Sequence, residues 1–248
     1  MSFSSSFIKN EINDSKALFR AIPSLTVTIF CVSVVVMNLM ASKAIVSTPF
    51  LTATGGVLIS WIPFLCMDVV AKHFGPKAAT KLNLMGLLVN LACVALFELV
   101  SVLQIDTTGQ NTDYSAFNSV YRCTWFVLVA SSVAFVLSGV ANNFLNYAIG
   151  TLFKKNPDGK SAYMTRCYIS TFVGQFVDNA IFLGLLYLVF LPSVAGLHAS
   201  SLPAVLGGAL LGGFMELITE VIFSPIGYHV TLKWKEREVG KDYLQKRA

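Results

Sequence analysis

The sequence predicts an all-α integral membrane protein of six transmembrane helices with both termini cytoplasmic, and three observations predict it. The first is composition: of 248 residues, 55% are hydrophobic and 12% charged, with a mean hydropathy of +0.68. An ordinary soluble domain carries about twice that share of charge. The second is the presence of six stretches that approach the ~20 apolar residues a helix needs to cross the hydrocarbon core. They fall at 24–45, 55–72, 82–103, 124–150, 164–190 and 201–226. Little of the chain lies outside them, so residues 1–248 read as a single membrane domain. The third is the placement of Lys and Arg, which membrane proteins keep on the cytoplasmic side. Lys9, Lys16 and Arg20 precede the first stretch, Lys72, Lys77 and Lys81 follow the second, and Lys154, Lys155 and Lys160 follow the fourth. The tail holds Lys233, Lys235, Arg237, Lys241, Lys246 and Arg247. The intervening loops are nearly bare, with Arg122 alone in 104–122 and none in "STPFLTAT" or 191–200. The net charge of +5 is therefore a topology signal, and no nucleic-acid partner is expected.

Taken in order, each segment has its own reason. The leader "MSFSSSFIKNEINDSKALFR" lacks the continuous apolar core of a signal peptide. The spacing of Ile8, Ile12 and Phe19 suits a short surface helix, and a frayed polar leader stays open beside it. The first span carries Asn38 and Ser42, four apart on one face, followed by Lys43. The second, "WIPFLCMDVVAKHFG", holds Asp68, with Pro63 placed to kink it. The third has Asn83 and Asn90 and, near its outer end and within reach of water, Glu98. The fourth carries Asn142, Asn143 and Asn146 in "GVANNFLNYAIG". The fifth begins near Arg166 and then presents Gln175, Asp178 and Asn179. The sixth opens on Gly208 and Gly212, a GxxxG close-packing surface within the monomer or at a dimer seam, and continues to Glu216, Thr219 and Glu220.

Intramembrane polarity has to be explained, because a charged side chain at mid-helix costs about 2.5–3.5 kcal/mol even on the lenient insertion scale. Asn and Gln also serve as interhelical glue at about 1 kcal/mol per hydrogen bond, which accounts for Asn83 and Asn90 without a ligand. The carboxylates resist that reading. Gln175 and Asn179, Asn142 and Asn146, and Glu216 and Glu220 are each i, i+4, so each set projects from one side of its helix. Helices with inward polar stripes and apolar backs describe a cup with a polar interior. Glu216 and Glu220 suit either a proton-coupled carrier or a cationic ligand. The cysteines (31, 66, 93, 123, 167) show no paired spacing and the histidines (73, 198, 229) no ligand spacing, so neither a metal nor another cofactor is expected. No phosphate loop, HExxH or GxSxG occurs in the sequence, which points away from an ATPase or a hydrolase.

The blocks "MNLMASK", "PFLCMDVVAKHFG", "NNFLNYAIGTLFKK", "TRCYISTFVGQFVDNAIF" and "EVIFSPIGY" occur in an order and spacing that resemble the queuosine precursor transporter family, also called the vitamin-uptake-transporter-like family. The resemblance runs from about residue 30 to 230 and is sharpest over Asp68–Gly75 and Arg166–Phe182. It implies a multi-pass bacterial inner (plasma) membrane protein, similar in fold to the six-helix substrate-binding subunits of energy-coupling factor transporters. The implied cargo is a 7-deazaguanine such as preQ0 or preQ1, or queuine or queuosine, used in tRNA modification. A carboxylate accepts from the ring N–H and exocyclic amine of such a base, and amides read its other edge. Asp178, Gln175 and Asn179, with Asn142 or Asn146 opposite, offer that set. Asn38, Asp68, Arg166, Glu216 and Glu220 complete the polar candidates, and Trp61, Phe64, Phe172 and Phe176 are candidate stacking faces. Expected partners are a small nucleobase-like substrate and membrane lipid. A homo-oligomer, a binding subunit for another vitamin-like molecule with a separate ATPase module, and a membrane enzyme stay open as alternatives.

Overall fold

A computed structural model describes residues 2–41, 43–48, 51–103, 113–121, 125–153, 159–190, 192–193, 199 and 201–246. Ser42, Arg122, Cys123, Lys154, Lys155, His198 and Arg247, all used above, lie outside the described residues. In chain order the elements are α1 (Ser2–Ala21), α2 (Ser24–Ala41), β1 (Ala44–Thr48), β2 (Leu51–Thr54), a 3-10 turn (Gly55–Leu58), α3 (Trp61–Phe74) and α4 (Pro76–Val102). Then follow α5 (Ser115–Tyr121), α6 (Trp125–Leu152), α7 (Lys160–Gly184) with a π-helical end (Leu185–Phe190), α8 (Leu202–Glu236) and α9 (Lys241–Gln245).

Among the described residues five helices, α2, α4, α6, α7 and α8, are long and apolar enough to cross a membrane. Their boundaries follow local chemistry. Gly75, at φ 90°, separates α3 from α4, and Pro76 opens α4 where a missing N–H costs nothing. The Ser201 hydroxyl accepts from the Ala204 N–H at 3.3 Å and caps α8, with Pro203 in its first turn. Pro225 lies inside α8 and removes one of its backbone donors.

The stretch 55–72 is not one continuous spanning helix. α3 has 14 residues, which at 1.5 Å per residue reach only about 21 Å. The chain before it forms an antiparallel hairpin, β1 against β2, with Thr48 opposite Leu51 and Ala44 opposite Thr54. The first span likewise ends at Ala41 rather than 45. The segment "AIVST…LTAT" is rich in β-branched residues, which favour strands. Gly55 and Gly56 then turn the backbone against the end of α2, where added Cβ atoms would come 2.8 Å from the Met40 oxygen and 2.9 Å from the Met37 oxygen. Pro63 falls in the first turn of α3, where a proline is tolerated. Irregular backbone is tolerated in a membrane protein where protein encloses it or it lines a cavity, and Ile45, Gly56, Val57 and Leu58 of this segment line one.

α3 is the central helix. Pro63, Phe64, Met67, Asp68, Val69, Val70, Ala71 and Phe74 are all buried, packed among α2, α4, α6 and α8. α7 lies along α6 and α8 over most of its length. The outward faces are apolar: Leu84, Leu88 and Leu99 on α4, Val133, Leu137 and Phe144 on α6, and Leu210, Phe214 and Ile222 on α8 are all exposed. A molecule with its polar residues inside and its leucines outside has lipid as its solvent.

At one end of the bundle α1, the α3–α4 turn and the C-terminal segment pack together. Leu18, Ile22, Phe74, Ala78, Ala79, Trp234 and Tyr243 form one cluster. Lys81 pairs with Glu11 at 2.9 Å and Asp14 at 2.5 Å, and His73 Nε2 meets the Val239 carbonyl at 2.9 Å. Three of the basic segments expected on one side of the membrane are thus gathered at one end. α1 is a helix of 20 residues, and it docks through Leu18 and Phe19, leaving Ile8 and Ile12 exposed.

Candidate functional site

The inward polar residues separate into two sets. The first lines a cavity of about 290 Å³. α7 supplies Asp178 and Asn179 with Phe182 one turn on, α8 supplies Gly208, Gly212 and Glu216, α2 supplies Asn38 and α6 supplies Ser131. Ile45 of the hairpin and Gly56, Val57, Leu58 and Ser60 of the turn close one side. The glycines of the GxxxG pair therefore face inward: a Cβ on Gly212 would come 2.6 Å from Asn179 Nδ2, and both glycines leave space for the cavity. The carboxylates are held by hydroxyls. Ser138 donates to Asp178 Oδ1 at 2.7 Å, and Ser60 donates to Glu216 Oε1. Ser131 donates to Asn38 Oδ1, while Asn38 Nδ2 donates to the Val34 carbonyl at 3.0 Å. Asn179 Nδ2 donates to the Gln175 carbonyl at 2.9 Å. Among the described residues Glu216 Oε2 has no hydrogen-bond partner. Among the described residues this lining holds two carboxylates and no Lys, Arg or His.

The second set is fully enclosed. Asp68, 0% exposed, accepts at Oδ1 from Asn146 Nδ2 at 2.7 Å and Asn142 Nδ2 at 3.2 Å, and at Oδ2 from the Thr171 hydroxyl at 3.4 Å. Asn146 also reaches Ser170 Oγ at 3.4 Å. α6 approaches α7 closely enough for this because residue 174 is glycine; a Cβ there would lie 2.9 Å from that of Asn142. One carboxylate oxygen each from Asp68 and Glu220 and the Cys167 sulfur lie within 4.8 Å of one another. Arg166 sits on the same face of α7, its guanidinium 5.1 Å from the Tyr163 ring centroid. Gln175 is buried between the two sets along α7, with Nε2 lacking a partner among the described residues.

The structure brings Asp178, Asn179, Asn38 and Glu216 together around the cavity. It places Asn142 and Asn146 against Asp68, not opposite Asp178. The stacking candidates lie elsewhere: Trp61 is already stacked on Phe223 at 3.9 Å, Phe172 packs on Phe214, Phe64 is in the core, and Phe176 is not among the lining residues. The aromatic ring in the lining is Phe182, which sequence reasoning missed although it stands four residues from Asp178 on the same face. Ser60, Ser131 and Ser138 were also missed, since an isolated serine in a span carries no signal until its partner is known. Asn83 donates to the Phe135 carbonyl at 3.2 Å and ties α4 to α6. Cys31, Cys66, Cys93 and Cys167 are free thiols.

A family model described as "Putative vitamin uptake transporter" matches residues 54–230. No curated protein and no solved structure matches the chain. The matched span runs from the end of β2 into α8 and contains all four intramembrane carboxylates of the two sets. It covers well over half of the sequence, and with it the chain belongs to the vitamin uptake transporter family, as a multi-pass helical membrane protein.

Proposed function

We propose that this transporter-family protein carries a queuosine precursor, a free 7-deazaguanine base such as preQ1, preQ0 or queuine, across the bacterial inner membrane, binding it in the cavity between α2, α6, α7 and α8. The observation that carries the reading is the cavity's chemistry. Asp178 and Glu216 face it together with Asn38 and Asn179, with Phe182 at its edge and no basic residue among the described lining. A guanine-type edge offers adjacent N–H donors to a carboxylate. The aminomethyl group of preQ1 is cationic, and a second carboxylate balances it. The volume of about 290 Å³ is at the small end of ligand sites and favours the base over the nucleoside.

In this reading the chain is one membrane unit and acts as a carrier rather than an enzyme. α3 with its preceding turn and hairpin takes the place of the second of the six spans, and both termini are cytoplasmic. The end where α1, Lys81 and the tail pack together is then the cytoplasmic face. The test is direct binding: purified protein in lipid nanodiscs is titrated with labelled preQ1, preQ0, queuosine and guanine. Saturable preQ1 binding, weakened at least tenfold in Asp178→Asn, is expected. Saturable binding of none of the four by folded wild-type protein removes the cargo assignment. Uptake that disappears in a host lacking every energy-coupling ATPase module assigns the chain to the binding-subunit class instead.

A further inference from the structure

No residue of the enclosed set around Asp68 is among those lining the cavity, yet the set contains the most unusual group among the described residues. Glu220 is 0% exposed, and among the described residues neither of its carboxylate oxygens has a hydrogen-bond partner. Its neighbour Asp68 is the opposite case, with both oxygens receiving donors from three side chains. The donors around Asp68 are amide N–H groups and a hydroxyl, which dress an anion. They are not lone pairs of the kind that would surround a metal cation. Arg166, buried and with Nε and Nη2 also without partners among the described residues, stands beside this set and supplies its positive charge. A bare ionised carboxylate in such a place has nothing to replace water.

Counting charge in this low-dielectric interior settles what is missing. Ionised Asp68 and Arg166 balance one another, and an ionised Glu220 would leave one uncompensated negative charge. We propose that Glu220 and Asp68 form a proton-binding site, separate from the cavity, in which one proton resides on Glu220 while Asp68 stays ionised against Arg166. The groups facing it are Asp68 from α3, Tyr163, Arg166 and Cys167 from α7, and the amides Asn142 and Asn146 from α6. On α8 itself the next titratable group is Glu216, one turn or about 6 Å along the axis, and Glu216 faces the cavity. The proton site therefore adjoins the cargo site through a single helical turn, which suits coupling of cargo movement to a proton. That coupling extends the transport reading above, whereas the proton site itself does not depend on the cargo.

The test has one arm without cargo and one with it. In the first, infrared spectra of the purified protein in lipid are recorded at neutral pH. The wild type minus Glu220→Gln difference is expected to contain a protonated-carboxyl C=O stretch, and a difference holding ionised-carboxylate bands alone overturns the proposal. Asp68→Asn is the second variant, with Glu220 intact: loss of the Asp68 charge makes Glu220 release its proton to balance Arg166, so the same band vanishes. Persistence of the band in folded Asp68→Asn shows that the two carboxylates do not share one site, and also overturns it. In the second arm, proteoliposomes are given labelled preQ1 with and without a pH gradient. Stimulation by the gradient is expected in the wild type and its loss in Glu220→Gln, with equilibrium binding kept within about twofold. The expected infrared result without preQ1 uptake removes the cargo reading and leaves the proton site standing. Gradient-driven uptake without the infrared band does the reverse.

Discussion

Replacing Asp68 by alanine separates the structural carboxylate from the one proposed to meet cargo. Three donors lose their acceptor: Asn146 at 2.7 Å, Asn142 at 3.2 Å and Thr171 at 3.4 Å. Side-chain hydrogen bonds in membrane proteins average about 0.6 kcal/mol, with the best near 1.7 kcal/mol. Assigning the upper figure to the short bond and the mean to the other two gives a loss of about 3 kcal/mol. Arg166 adds little, because Glu220 can ionise and replace Asp68 as its counter-charge. Asp178→Ala loses one donor, Ser138, beside a cavity that water can fill, and costs about 1 kcal/mol or less. The difference of about 2 kcal/mol is a large fraction of a marginal stability. Reversible unfolding in mixed micelles, followed by loss of helix signal and by labelling of the buried Cys167 thiol, measures it. Equal stabilities of the two variants would refute the assignment of Asp68 as the hub of an interhelical network.

Other outcomes follow from single contacts. Gly212→Leu places a side chain where Asn179 and the cavity lie and abolishes cargo binding while the helical signal is retained. Ser60→Ala removes the donor to Glu216 Oε1 and weakens cargo binding by about three- to tenfold, read by titration in nanodiscs, as expected for one hydrogen bond of ordinary net strength. Asn83→Leu removes the tie to the Phe135 carbonyl and costs about 1 kcal/mol in the same unfolding assay, with binding unchanged. Lys81→Ala breaks the contacts to Glu11 and Asp14. Because Glu11 is half exposed, the loss is about 1 kcal/mol or less, and it appears as faster proteolysis of α1.

The helical membrane class was legible because apolar runs of spanning length leave few alternatives. The five long helices were found to within a few residues at most ends. The hairpin was not legible, because "AIVSTPFLTAT" is short and continues the hydropathy of its neighbours. Its β-branched residues and the Gly55–Gly56 pair were its local signals. The same blurring placed the start of the second span six residues before α3 begins. In the site, i, i+4 spacing identified which residues point inward, because that depends only on helix geometry. It could not say which inward faces meet. Whether Asn142 finds Asp68 or Asp178 depends on how α6 rotates against α3 and α7, which Gly174 and neighbouring residues decide through packing. Aromatic candidates failed for a related reason: Trp61 and Phe172 found partners in neighbouring helices, leaving Phe182 beside the carboxylate.

The most direct measurement of the central claim is tRNA queuosine content in a bacterium that can neither make nor import the precursor. The strain expresses this protein or its Asp178→Asn variant and is supplied with nanomolar preQ1. The account predicts restored queuosine with the wild type and none with a variant present in the membrane at the same level. No restoration by well-expressed wild type, or equal restoration by both, would contradict it.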